Sequence, residues 1–213
     1  MESEEIKENS SLSFIVLLAN NLLPLFGVIF LGWSAFEVLV LYWVESVIFS
    51  VFAFLKMTKI VSLNKQLFEK FIKMSVMMIL VCGLFLFAQY IAIIIFGIFS
   101  DELHSSDIRK GLLAPLWKDP ELLIAVFTTL IAYALSYRRD FIKKELFKSD
   151  DLSTEFNSPF KRIMIIQFAV LLGGFTAIGL TRVFNFSLEV NKGIMVGMLL
   201  VIKNLADVKY RRK

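Results

Sequence analysis

Runs of about twenty apolar residues recur along this chain, separated by short charged segments, and a helix of that length crosses the hydrocarbon core of a bilayer. Six such runs are read as spans: Leu12–Leu31, Ala35–Leu55, Met74–Phe99, Leu122–Tyr137, Ile163–Thr181 and Leu188–Val208. Hydrophobic residues make up 57% of the 213, 22 of them Phe, against the roughly 45–50% typical of soluble domains. Lipid is the solvent that such a pattern requires. The expected fold is all-α, a polytopic transmembrane helical bundle forming a single domain over residues 1–213.

Orientation follows from the placement of lysine and arginine, which favour cytoplasmic connectors. Lys56, Lys59, Lys65, Lys70 and Lys73 lie between spans two and three, seven cations occupy residues 138–162, and four more close the C-terminal tail. With Lys7 these make seventeen on one side, against Arg109, Lys110, Lys118, Arg182 and Lys192 on the other. Both termini are therefore expected in the cytoplasm. Residues 1–11 are acidic with one lysine and lack the basic start of a secretory signal, so the first run is read as a retained span.

Local signals refine the picture. Gly32-Trp33-Ser34 leaves only a tight turn between spans one and two, which makes them an antiparallel hairpin, with Glu37 as a helix-start charge. Asp119, Pro120 and Glu121 read as N-cap, first helical residue and first-turn acid of span four. Ile60–Lys73 alternates apolar residues with lysines at near-helical spacing, either as an interfacial segment or as an extension of span three. Phe141–Phe147 has the same character, and Leu112–Trp117 reads as an apolar dip at the opposite interface.

Polar residues deep in apolar runs carry most of the functional information, because lipid makes them costly and turns them toward the bundle interior. Asn20 and Asn21 fall at the middle of span one, Glu45 at the middle of span two, Gln89 just past the middle of span three, and Thr128 and Thr129 centrally in span four. Lys203, Asn204 and Asp207 lie slightly toward the cytoplasmic side in span six. Tyr42, three residues before Glu45, shares its helical face. A lone carboxylate at that depth needs a compensating cation to stay charged. Lys203 is the expected partner, with Asn20 or Asn21 hydrogen-bonding the carboxylate. Asn, Gln and Thr also serve as interhelical glue worth only about 1 kcal/mol, so a buried structural network is the competing reading. Pro24 frees a carbonyl near position 20. Gly173 with Ala177 and Gly193 with Gly197 are small-residue pairs expected to let helices approach closely.

Several chemistries lack their residues. The one histidine, His104, lies in a connector, and the one cysteine, Cys82, lies in an apolar run. No zinc or haem ligand set, His-Glu-x-x-His, Gly-x-Ser-x-Gly, Walker loop or dinucleotide loop occurs. No cofactor or metal is expected. The net charge of +4 points to anionic lipid headgroups at the cytoplasmic connectors rather than to nucleic acid.

The first hairpin carries Asn21-x-x-Pro24, Gly27, Gly32-Trp33 and Leu41-Tyr42-Trp43-x-Glu45, with Lys56-Met57 after the second run, and Lys203-x-x-x-Asp207 ends the last. Together they resemble an uncharacterised prokaryotic membrane family catalogued as a domain of unknown function. The resemblance implies that the hairpin is a unit with Tyr42, Trp43 and Glu45 as its signature, in a bacterial or archaeal inner membrane. It implies no activity. The leading expectation is a non-catalytic accessory or assembly subunit that contacts lipid, another membrane protein or further copies of itself. The alternative is a small transporter or channel with a midplane site centred on Glu45. A lipid-modifying enzyme is the weakest reading, since no convergent acid–base pair is legible.

Overall fold

The computed structural model describes residues 22–99, 116, 118–148, 151–184, 197 and 201, and among these there are helices, turns and no strand. Helix α1 comprises residues 22–30. It is followed by α2 (Ala35–Leu63), a 3-10 turn (Lys65–Leu67) and α3 (Phe68–Phe99). Next come α4 (Pro120–Ser136), a π turn (Tyr137–Ile142), a second 3-10 turn (Leu146–Lys148) and α5 (Leu152–Phe184). Among the described residues, three helical stretches are long and apolar enough to cross a membrane: Ala35–Leu63, Lys65–Ile95 and Pro120–Ile142.

The α1–α2 turn is built by glycine. The carbonyl of Gly27 accepts from the backbone N–H groups of Leu31 and Trp33, each at 3.0 Å. Gly32 takes φ +70, a left-handed conformation open to glycine at little cost. That turn lays the Trp33 indole directly on Gly27. A capping box then starts α2: Glu37 N–H donates to Ser34 Oγ at 3.2 Å, and Ser34 N–H donates to Glu37 Oε2 at 2.7 Å. Glu37 is thus more specific than a helix-start charge; it closes the cap.

Helix α2 is the hub and packs against α3, α4 and α5. From Ala35 to Tyr42 it is buried on nearly every side, and beyond Glu45 its buried face narrows to Ser46, Ala53, Met57, Ile60 and Val61. Helix α3 turns Ser75, Met78, Cys82, Gln89 and Ile93 inward at spacings of three, four and seven. Its opposite face carries exposed Ile79, Leu80, Leu84 and Phe87. The Trp43 indole N–H donates to the Leu86 carbonyl at 2.9 Å and pins α2 to α3.

The helices run past several expected span ends. The segment between spans two and three is no separate interfacial helix: residues 60–63 finish α2, and α3 starts at Phe68. Asp119 occupies the N-cap of α4 without a side-chain capping bond, and Pro120 follows it. Phe141 is buried, stacked on Tyr137 at 5.7 Å and edge-on to Phe147 at 6.0 Å, while residues 143–146 of that segment are exposed. Helix α5 begins eleven residues before Ile163 and continues through Pro159. Its inward stripe of Leu152, Glu155, Pro159, Arg162 and Ile166 explains why: packing at every turn outweighs one lost backbone bond. Asp151 opens this helix and lies below the usual carboxylate range, chiefly through hydrogen bonds to Ser153 and secondarily through Lys70. Of the glycine pairs, Gly173 and Ala177 lie in α5, Gly193 is outside the described residues, and a Cβ at Gly197 would meet nothing within 4 Å among the described residues.

Two glycine substitutions are expected to part in sign. Gly27→Ala forces its Cβ into the Trp33 ring and should destabilise by about 1–3 kcal/mol. Gly83→Ala meets nothing within 4 Å among the described residues and should be neutral or stabilise by roughly 0.5–1 kcal/mol through helix propensity. Thermal unfolding of the two proteins in the same detergent checks both.

Candidate functional site

Glu45 lies three turns into α2, 3% exposed. Its Oε1 accepts from Arg162 Nη2 of α5 at 2.6 Å and from the Tyr133 hydroxyl of α4 at 3.2 Å. One carboxylate therefore ties three helices. Arg162 is itself only 8% exposed. Its guanidinium lies over the Phe49 ring at 4.6 Å and over the Tyr133 ring at 5.5 Å. These two rings meet edge-on at 5.7 Å, and Phe52 stacks on Tyr133 at 6.1 Å. The cation is thus neutralised on one side and covered by aromatic faces on the others. Such contacts strengthen once water is removed.

The site divides the core in two. One apolar cluster gathers Trp33, Val38, Leu39, Tyr42, Ile93, Leu122 and Ile166. The other gathers Met57, Met78, Cys82, Phe141, Leu152 and Ile163. Glu45, Ser46, Phe49, Ser50 and Phe52 form the stretch of α2 between them. The Ser46 and Ser50 hydroxyls turn back to the Tyr42 and Ser46 carbonyls, at 2.8 and 2.9 Å. A second pair, Lys56 with Glu155 at 3.2 Å, joins α2 to α5 nearer the α2–α3 turn, with Lys56 also over the Phe141 ring at 5.2 Å.

The sequence-predicted residues fall out as follows. Tyr42, Glu45 and Gln89 are all buried. Gln89 is fully enclosed, and neither atom of its amide has a hydrogen-bond partner among the described residues. Thr128 and Thr129 both donate to the Ala125 carbonyl of their own helix at 2.9 Å. Asn20, Asn21, Lys203, Asn204 and Asp207 lie outside the described residues. The expected Glu45–Lys203 pair falls outside the described residues at its Lys203 end; among those described, Arg162, a residue counted among the cytoplasmic connector charges, brings a cation to Glu45 Oε1. Tyr133 and Phe49 were not singled out by sequence either. The available signal was the spacing of Arg162 from Leu152, Glu155 and Ile166.

A family model described as a family of unknown function (DUF6498) matches residues 4–213. No curated protein and no solved structure matches the chain.

A buried pair costs more to break than to remove whole. Glu45→Gln and Arg162→Met should each destabilise the bundle by about 3–5 kcal/mol, while the double variant should lose clearly less than the sum. Chemical unfolding in detergent micelles measures the cycle, and additive losses would refute the coupling.

Proposed function

The chain belongs to the DUF6498 family, whose function is unknown, and from that premise we propose a non-catalytic accessory or assembly subunit of the inner membrane. In this reading six helices span the bilayer with both termini in the cytoplasm. The lysine-rich connectors face anionic lipid headgroups, and a membrane-protein partner or a second copy packs against the bundle. Three helices of spanning length and the apolar outer face of α3 support the membrane setting.

The observation that carries the choice of role is the closure of Glu45. A solute or proton site in a membrane protein needs a polar group that water can reach from at least one side. Here the carboxylate is committed to Arg162 and Tyr133, the guanidinium is covered by rings, and both side chains are nearly inaccessible. A group so engaged fixes helices against one another. It acts as a lock in the interior of a scaffold whose outer surface does the recognising.

Ser46, adjacent to Glu45 and fully buried, gives a test that leaves the pair intact. In a Cys82→Ala background, Ser46→Cys should resist a membrane-impermeant maleimide in both right-side-out and inverted vesicles, and react once detergent unfolds the protein. Labelling in intact vesicles from either side would reveal a water path and favour the transporter or channel reading instead.

A further inference from the structure

We propose that the groove at the α2–α3 turn holds one phospholipid with an anionic headgroup, its phosphate on Lys65 and an acyl chain along Val61, Phe68 and Phe71. The inference rests on the membrane setting proposed above, though not on the subunit role. A cavity of about 580 Å³ opens here, lined by Thr58, Val61, Ser62, Lys65, Phe68 and Phe71.

Its depth suits a lipid. The 29 residues of α2 rise about 43 Å, close to the ~40–45 Å of a bilayer with its headgroup layers. A helix capped at Ser34 in one headgroup layer ends at Leu63 in the other. The rim is apolar where acyl chains begin, for Leu63 is 57% and Phe68 58% exposed.

Charge selects the headgroup. The other lysines of this turn already have partners: Lys56 has Glu155, Lys70 has Asp151 and Lys73 has Glu69, at 3.2, 3.7 and 2.6 Å. Lys59 lies over the Phe147 ring at 5.2 Å. Lys65 is exposed on the cavity wall and has no ion-pair partner among the described residues. The hydroxyls beside it do not compete, since Thr58 and Ser62 donate to the Leu55 and Lys59 carbonyls, both at 2.7 Å. A lone ammonium above an apolar trough matches a phosphate on a chain.

Native mass spectrometry of the full chain, extracted in detergent and offered phosphatidylglycerol or phosphatidylcholine with identical chains, tests this. The wild type should keep phosphatidylglycerol under activation that strips phosphatidylcholine. Lys65→Gln should lower that retention about fivefold, the effect of one lysine at an anionic surface. Lys148→Gln, which removes a cation paired with Glu145 away from the cavity, should leave retention unchanged. Equal retention of the two lipids, or equal loss in the two variants, overturns the site. Displacement of phosphatidylglycerol by inorganic phosphate at matched concentration overturns it in favour of a free-anion site. Flotation with reconstituted vesicles separates the two readings. Protein that floats yet shows no headgroup preference refutes the lipid site alone, whereas protein that fails to float refutes the membrane setting.

Discussion

A charge withdrawn from water must find its opposite close by, and in this chain Glu45 and Arg162 meet that requirement across two helices. Much of the architecture follows from their meeting. Helix α5 presents Arg162 on the same inward stripe whose packing carries the helix through Pro159. Helix α4 must bring Tyr133 to the same oxygen, and Phe49 must cover the guanidinium. The two apolar clusters lie on either side of this contact.

How far sequence reaches into such a bundle depends on what surrounds each residue. Glu45 stood out because a carboxylate in an apolar run has no ordinary explanation. Arg162 did not, because Lys161, Pro159 and a string of polar residues precede it. Charge counting treats such a segment as a connector. Its 3-4 spacing of Leu152, Glu155, Pro159, Arg162 and Ile166 is nonetheless that of a buried helix face, hidden because two of the five residues are charged and a third is a proline. The reverse problem affects α3. Its inward face of Ser75, Met78, Cys82, Gln89 and Ile93 is no greasier than the outward face of Ile79, Leu80, Leu84 and Phe87. Hydropathy alone therefore identifies the helix without orienting it. At the α1–α2 turn the sequence shows a tight turn and a helix-start charge, and the structure adds the capping box that Ser34 and Glu37 form.

The two ends of α2 do different work. Its first turns sit among apolar neighbours and are fixed by the cap, the Trp33–Gly27 contact and the Trp43 bond to α3. Its last turns run among cations held by acids and aromatic rings, Lys56 with Glu155 and Phe141 and Lys59 with Phe147. Such contacts keep long basic side chains in place beside apolar surface. Membership of DUF6498 supplies no activity to set against this division.

Solid-state NMR on the isotope-labelled protein in lipid bilayers measures the central contact without altering it. The account predicts a through-space correlation between the Arg162 guanidinium nitrogens and the Glu45 carboxyl carbon, assigned by its loss in Glu45→Gln, with guanidinium protons that exchange slowly after transfer to deuterated buffer. Absence of that correlation, or guanidinium protons that exchange as fast as those of exposed arginines, would contradict a sealed ion pair at the heart of the bundle.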